Sequence, residues 1–294
     1  MKQKLAGDHS GKTIVVTGGS KGIGLEAVKK LLKLKCNVIV GCRSVEHAKS
    51  ELNDQYEGKL TILYLDLLKL DSVREFASQI KEMNVALCAL VNNAGIMFGD
   101  RRESEDGYEY QFATNYLGHF LLSHLLLGEL KKGKSMETPA RIVNVSSIAH
   151  YLGSYMDLED LNLTKFYSPE LSYGNSKAHQ VMFSQFLDSR LSGEGVRVIA
   201  LHPGVVYTDL YATVWWVQIF TAIAKLMMKS ASQGGDTIVH ATLAPELCQA
   251  DCTGRYLENS KLSRCSSFTQ DLNNQSNLWH KTCRLLDIDS FGTE

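Results

Sequence analysis

A tyrosine followed four positions later by a lysine is the first pattern in this sequence that could do chemistry. Tyr173 and Lys177 lie in the segment SYGNSKAHQVMFSQFLDSRL, whose apolar spacing predicts a helix with both side chains on one face. A tyrosine ordinarily has a pKa of about 10, and a neighbouring cation lowers it because the cation favours the phenolate. The pair could therefore exchange a proton with a substrate. Because this spacing is common in helices, its meaning depends on the residues that accompany it.

A glycine-rich turn follows the first predicted strand. The run TGGSKGIG at 17–24 opens an apolar helical stretch. Glycines there allow a tight turn and a close approach to a pyrophosphate, which the N–H groups and dipole of the helix attract. The position between a strand and a helix is the context that this motif requires. We therefore predict a dinucleotide site, with contacts from Gly18, Ser20, Lys21, Gly22, Ile23 and Gly24.

The end of the second predicted strand indicates which dinucleotide binds. Folds that prefer NAD place an acidic residue about 20 positions after the glycine turn, where it binds the ribose hydroxyls. Here the strand ends in GCRS at 41–44, without an acid. Arg43 and Lys21 could pair with a 2′-phosphate, so we predict NADP(H), the alternative being two ordinary surface cations. Asp66, after the third strand, either accepts from the adenine amino group or caps the next helix.

Short apolar runs alternate with helical patterns along the chain. Six runs rich in β-branched residues predict strands at 13–17, 37–41, 60–65, 89–93, 141–147 and 196–201. Their nearly continuous hydrophobicity is typical of parallel strands buried on both faces. The alternation predicts an α/β fold: a single doubly wound, Rossmann-like parallel sheet with helices on both faces. Because no repeat or linker divides the chain, we predict one domain over residues 1–294.

Composition excludes several other classes of protein. With 294 residues, of which 44% are hydrophobic, the chain can bury a full core. A net charge of −1 lacks the positive field of a nucleic-acid-binding protein. Seven cysteines without a C-x-x-C pair indicate free thiols in a reducing compartment and no metal site. The first twelve residues have no apolar core of the kind that a signal peptide or anchor needs.

Together, the motifs resemble the short-chain dehydrogenase/reductase family. The resemblance covers about residues 12 to 260 and is carried, in family order, by TGxxxGxG at 17–24, NNAG at 92–95, Asn115 in NYLG, Ser147, Tyr173-x-x-x-Lys177 and Pro203-Gly204. It implies an alcohol dehydrogenase or carbonyl reductase in which Tyr173 is the general acid/base. Lys177 would bind the nicotinamide ribose and support the tyrosine, and Ser147 would hold the substrate oxygen. Asn115 would bend its helix around a water that feeds a proton relay.

The resemblance also selects between two serines and extends the cofactor site. Ser146 is the nearest rival to Ser147, but a strand alternates its faces, and the family pattern selects the second serine. Asn93 would stabilise the central strand and lie along the cofactor ribose, while the segment from Pro203 to Thr208 would hold the nicotinamide carboxamide. The predicted contacts beyond the glycine turn are Arg43, Asp66, Leu67, Asn93, Ala94, Gly95, Tyr173, Lys177, Pro203, Gly204, Val206 and Thr208.

The predicted substrate side is apolar. Between Ser147 and Tyr173 lie 25 residues, a length typical of segments that form one wall of a pocket. His150, within them, either touches substrate or packs. Residues 210–228, LYATVWWVQIFTAIAKLMM, carry a single charge. They predict a lid at about 205–232 over an apolar substrate, with contact to a membrane surface or ordinary core packing as alternatives.

Three stretches resemble the retinol dehydrogenase branch of the family and its polyprenol-oxidising relatives: NYLGHFLL at 115–122, RIVNVSSIAH at 141–150 and HPGVVYTD at 202–209. The resemblance implies a long apolar alcohol or aldehyde, retinol-like, as the small-molecule partner. A polyprenol or steroid-type alcohol is one alternative, and a non-catalytic NADP(H)-binding regulatory module is another.

Location and assembly are open expectations. Many members of that branch have an N-terminal hydrophobic anchor, whereas the first residues here are polar. We expect a cytoplasmic protein, with peripheral contact to endoplasmic reticulum or lipid-droplet membranes as an alternative. A C-terminal helical extension is expected at about 262–294. The family often pairs through the helices that contain Asn115 and Tyr173, which leaves a homodimer open.

Overall fold

One sheet organises the protein. The computed structural model describes residues 9–53, 56–97, 99–134, 138–206, 228–248 and 256–293. The strands within these ranges are β1 (Thr13–Thr17), β2 (Asn37–Cys42), β3 (Leu60–Tyr64), β4 (Leu87–Asn92), β5 (Ala140–Val145), β6 (Val196–His202), β7 (Tyr256–Glu258) and β8 (Lys261–Ser263). Their order is β3-β2-β1-β4-β5-β6-β7-β8, and neighbours are parallel except for β7 with β8. The predicted fold class and all six predicted strands are confirmed.

Helices connect the strands and cover both faces of the sheet. They are α1 (Gly22–Lys33), α2 (Val45–Glu51), α3 (Leu70–Glu82), α4 (Tyr110–Phe112), α5 (Gly118–Leu125), α6 (Leu127–Gly133), α7 (Pro169–Leu191), α8 (Ala231–Leu243), α9 (Ser267–Gln270) and α10 (Leu272–Leu285). A π-helical turn, Ala113–Leu117, joins α4 to α5, and 3₁₀ helices span Ile148–Tyr155, Ser192–Glu194 and Pro245–Cys248. The strand order reverses between β1 and β4, where parallel sheets of this type open a crevice at the carboxyl ends of the strands.

The hydrophobic core lies in two layers, one on each face of the sheet. In β1, Val15 packs into the layer that holds α3, α5 and α7, while Ile14 and Val16 pack into the layer that holds α1 and α8. All three side chains are fully buried. Because successive side chains of a strand point to opposite faces, a strand covered on both sides must be apolar at every position. This explains the continuous hydrophobic runs that predicted the strands.

The C-terminal helix α10 packs across α5 and α7. The ring centres of Trp279 and Phe120 are 5.2 Å apart, and those of Trp279 and Phe186 are 5.0 Å apart. Tyr116 Oη and Thr282 Oγ1 share a hydrogen bond of 2.8 Å. A homodimer through the helices that contain Asn115 and Tyr173 stays a prediction.

Some expectations cannot be followed in this structure. Of the lid predicted at about 205–232, residues 207–227, including Thr208, lie outside the described residues. The division into one domain, a lid and a C-terminal extension stays a prediction. Within the ranges that the structure describes, no helix is both long and apolar enough to cross a membrane. Cys36, Cys42, Cys88, Cys265 and Cys283 are free thiols.

Candidate active site

A cleft of about 490 Å³ runs along the carboxyl ends of the central strands. It lies where the strand order reverses. The predicted residues that line it are Gly18, Ser20, Lys21, Gly22, Ile23, Gly24, Arg43, Asp66, Leu67, Asn93, Ala94, Gly95, Ser147, Tyr173, Lys177, Pro203, Gly204 and Val206. Asn115 is fully buried behind this lining. The structure thus brings residues that are distant in sequence to a single cleft.

The glycine-rich turn is built for close backbone contact. Gly18 has a φ of +66°, and a Cβ added to it would lie 2.8 Å from Ala94 Cα. A side chain at Gly24 would collide with the Asn93 amide, whose Nδ2 donates to Thr17 O at 2.8 Å. Helix α1 begins at Gly22 without a side-chain cap. Its first N–H groups are therefore available to an anion, and the turn fits a pyrophosphate.

Two cations border the part of the cleft that follows β1 and β2. Lys21 and Arg43 line the cleft and are exposed. Within the described residues neither forms an ion pair, and the first turn of α1 has no acidic residue. Asp66 Oδ1 accepts from Leu68 N at 3.1 Å, and the cap position of α3 is Lys69. The alternative that Asp66 caps the next helix is therefore wrong, although its side chain does shape the turn before that helix.

Tyr173 and Lys177 meet on the face of α7 that borders the cleft. Lys177 Nζ lies 5.5 Å from the centre of the Tyr173 ring. It donates hydrogen bonds to Val145 O at 3.0 Å and to Gln180 Oε1 at 3.1 Å. Burial lowers the pKa of Lys177 to about 7, because removing an ammonium from water disfavours its charged form. Its charge at neutral pH therefore depends on the groups that accept from it.

Hydrogen bonding distinguishes the two serines after β5. The strand ends at Val145, two residues earlier than predicted, so alternation of strand faces does not decide between them. Ser146 Oγ donates to Lys177 O at 2.8 Å and is used to hold α7. Ser147 Oγ accepts from Ala149 N at 3.2 Å, which leaves its proton for donation into the cleft. The geometry supports the same serine as the family pattern, for a different reason.

Asn115 connects the NNAG turn to α7. Its Nδ2 donates to Ile96 O at 3.0 Å and to Ser176 Oγ at 2.9 Å, while its Oδ1 accepts from Ile96 N at 2.8 Å. It lies in the π-helical turn, and such turns free carbonyl groups from the usual helical pairing. The side chain is thus committed to holding the protein together, and a role in a water-mediated relay stays a prediction for its carbonyl.

His119 makes a buried connection between that carbonyl and the glycine-rich turn. Its Nδ1 lies 3.1 Å from Asn115 O, and its Nε2 lies 2.9 Å from Thr17 Oγ1. Because a carbonyl can only accept, the network places the proton on Nδ1, and Nε2 accepts from the threonine hydroxyl. Burial lowers the pKa of His119 to about 3, with the nearby Lys177 charge acting in the same direction. The histidine is neutral.

His150 packs beneath the segment that follows Ser147. Its Nδ1 donates to Ser147 O at 2.8 Å, and its Nε2 accepts from Ser266 N at 3.2 Å. The side chain is fully buried. The structure therefore favours packing over substrate contact: His150 fixes the backbone of Ser147 to the C-terminal segment.

Comparison with known proteins identifies the family. The short chain dehydrogenase family model matches residues 12–216. The chain belongs to the short-chain dehydrogenase family. It is 36% identical to polyprenol dehydrogenase from Homo sapiens over 288 residues, 94% of this chain and 86% of that protein. It is 36% identical to retinol dehydrogenase 12 from Mus musculus over 282 residues, 95% of this chain and 87% of that protein.

A solved short-chain dehydrogenase structure gives the same picture. NADPH-bound carbonyl reductase from chicken fatty liver superposes with a TM-score of 0.65 and 26% identity, covering 87% of this chain and 100% of that one. These comparisons confirm the resemblance to the family, and to its retinol dehydrogenase branch with the polyprenol-oxidising relatives. As a short-chain dehydrogenase, the protein is an oxidoreductase that uses a nicotinamide cofactor.

Several cleft residues of this short-chain dehydrogenase were not predicted. Thr114, His202 and Cys42 line the cleft, and Gln180 and His119 contact its predicted catalytic groups from behind. Gln180 follows Lys177 by three residues on the same helix face, a spacing that could have indicated contact. His119 gave no such signal, because its partner Thr17 is 102 residues away.

Proposed function

We propose that this short-chain dehydrogenase is an NADP(H)-dependent alcohol dehydrogenase or carbonyl reductase for a long apolar alcohol and its aldehyde, of the retinol type. The observation that carries the proposal is a single cleft that holds the proposed proton-transfer group, Tyr173, with a buried cation beside it, and two exposed cations after β1 and β2. Ser147, Tyr173 and Lys177 in one place argue against a non-catalytic binding module, which has no use for all three.

The residues that line the cleft support NADP(H) as the cofactor. Its volume falls within the range of about 300–1,000 Å³ typical of cofactor sites. The N-terminus of α1 and the glycine turn would hold the pyrophosphate, while Lys21 and Arg43 would hold the 2′-phosphate. Asp66 and Leu67 would border the adenine. Gly204 and its neighbours, together with Thr208, would hold the nicotinamide.

Each predicted catalytic side chain has a definable task. When bound, a nicotinamide cofactor would supply the hydride chemistry. Ser147 donates a hydrogen bond to the substrate oxygen and polarises it. Tyr173 gives its hydroxyl proton to that oxygen during reduction and takes a proton from it during oxidation. The Lys177 ammonium stabilises the phenolate that remains and would bind the ribose. Asn115 is proposed to complete the relay through its carbonyl.

The substrate class rests on similarity and on apolar surface beside the cleft. The curated relatives are named for polyprenol and retinol, both long apolar alcohols. Ile148 and Val205, which directly follow Ser147 and Gly204, are exposed apolar side chains. An apolar lid at 205–232 would extend this surface. Peripheral contact of a cytoplasmic protein with a membrane belongs to the same proposal, because such substrates partition into lipid.

A substrate panel tests the proposal. The purified protein is given retinol, a polyprenol, a steroid alcohol or ethanol, each with NADP⁺ and with NAD⁺, and reduced cofactor is followed by its absorbance. We expect turnover of retinol, with kcat/KM for NADP⁺ at least about tenfold above that for NAD⁺, and none of ethanol. A preference for the polyprenol or the steroid would mean that this alcohol, and not retinol, is the substrate. Cofactor binding without turnover of any member would support the regulatory module instead.

A further inference from the structure

Lys177 is a buried ammonium whose hydrogen-bond acceptors are neutral. Its side chain is 4% exposed, and it bonds to the Val145 carbonyl and the Gln180 amide oxygen. In the part of the chain that the structure describes, no carboxylate pairs with it. Burial lowers its pKa to about 7, so the side chain begins to lose its charge close to neutral pH. Acceptors that bind the charged form oppose this loss.

The buried amide of Gln180 destabilises the folded protein. The side chain is 1% exposed, and its Nε2 has no hydrogen-bond partner among the described residues. A buried donor without a partner is unfavourable, whereas a methionine of similar length would carry no such donor. Packing therefore does not explain an amide here. The bond from Lys177 Nζ to Oε1 is what the amide contributes and a methionine could not.

We propose that Gln180 is a positioning residue, which keeps the Lys177 ammonium charged and directs it toward Tyr173 and the cleft. Gln180 and the Val145 carbonyl each accept one of three ammonium protons, and the third is left for the cleft side. The inference rests on the proposed function, because the charge of Lys177 matters for turnover only if Tyr173 is the proton-transfer group.

The surroundings of Lys177 make Gln180 the side chain to change. The titratable groups that face Nζ in the described structure are Tyr173 on α7 and His119 on α5. His119 is neutral, and β5 contributes only a backbone carbonyl. From the NNAG turn, Gly95 approaches without a side chain. Gln180 is therefore the side chain whose replacement changes the charge balance of Lys177 without removing a reacting group.

The test measures the pKa of Lys177 directly. Cofactor-free protein containing ¹³C,¹⁵N-labelled lysine is titrated by NMR, with the Lys177 signal assigned by its loss in Lys177→Met. We expect Gln180→Met to lower that pKa by about one unit and Gln180→Glu to raise it by at least as much. Gln185→Met is the matched control, because Gln185 lies on the same helix and bonds to Cys265 and Gln275 instead. It should leave the pKa unchanged.

A kinetic measurement links this pKa to turnover. Where kcat/KM falls at alkaline pH in the wild type, we expect the midpoint of that fall to move with the pKa of Lys177, down in Gln180→Met and up in Gln180→Glu. The melting temperature of Gln180→Met should not fall. The inference is overturned if the Lys177 pKa is the same in all variants, or if Gln185→Met shifts it equally. If the variants shift the Lys177 pKa as expected but the wild type shows no turnover, only the proposed function is refuted.

Discussion

The ammonium nitrogen of Lys177 lies 5.5 Å from the centre of the Tyr173 ring, one helical turn away on α7. A cation at this distance favours the phenolate over the phenol. Ser146 fixes the backbone beneath the lysine by donating to its carbonyl oxygen. The tyrosine is thus held beside a charge whose position is set by both β5 and α7, and its hydroxyl is the proposed proton-transfer group.

Replacing Tyr173 by phenylalanine should remove turnover and leave cofactor binding intact. The change deletes the proton donor and acceptor but keeps the ring, so we expect kcat to fall about 10²–10⁴-fold. NADPH affinity, measured by fluorescence titration, should change little. Tyr108→Phe is the control: its hydroxyl donates to Leu285 O at the end of α10, and kcat should stay near the wild-type value. Full activity in Tyr173→Phe would refute the assigned mechanism.

Reversing the charge of Arg43 should change cofactor preference. An aspartate there would repel a 2′-phosphate and could accept from ribose hydroxyls. We expect kcat/KM for NADP⁺ to fall by at least about tenfold while that for NAD⁺ is maintained or rises. Arg74→Asp makes the same charge change on the exposed surface of α3 and should leave the ratio unaltered. An unchanged ratio in Arg43→Asp would show that this arginine does not contact the phosphate.

The central strands and the glycine turn could be predicted because each depends on residues that are close together in the sequence. The six central strands were found because burial on both faces makes every position apolar, as Ile14, Val15 and Val16 show. Strands β7 and β8 were not, since three residues are too few to show a period. Likewise, the glycine turn was recognised from its place between a strand and a helix.

Contacts between distant parts of the chain could not be predicted in the same way. The bond between His119 and Thr17 joins positions 102 residues apart, and nothing near either residue indicates it. The choice of Ser147 over Ser146 stays a prediction that rests on the family pattern, because the strand on which the alternation argument relied ends at Val145. The contact that distinguishes the two hydroxyls, from Ser146 Oγ to the Lys177 carbonyl, joins positions 31 residues apart.

Truncating Trp279 should destabilise the protein by weakening the packing of α10. The ring is buried against Phe120 and Phe186, and replacing such a side chain by alanine typically costs about 3–5 kcal/mol. Urea unfolding should show this loss in Trp279→Ala. Leu272→Ala, at an exposed position on the same helix, should cost less than about 0.5 kcal/mol. Equal stability of the two variants would mean that α10 contributes little to the fold.

Replacing His179 by leucine should stabilise the protein, most strongly in acid. His179 is buried against the rings of Phe112 and Tyr116, and in the described structure neither of its ring nitrogens has a hydrogen-bond partner. Burial lowers its pKa to about 3, against about 6.5 in an unfolded chain. Between these values the unfolded state binds the extra proton, so this histidine makes the native state lose stability as pH falls, by up to about 1.4 kcal/mol per pH unit.

Leucine removes both the unpaired nitrogens and this titration. We expect His179→Leu to be more stable by about 1–3 kcal/mol at pH 7.5, and the advantage to grow toward pH 5. His119 and His202, whose pKa values burial lowers to about 3 and about 4, keep part of the acid sensitivity in the variant. Urea unfolding at several pH values measures the slope, with His280→Leu on the exposed side of α10 as the control. If the slope below pH 6.5 matches that of the wild type, His179 is not buried in neutral form, and its packing against the two rings is wrong.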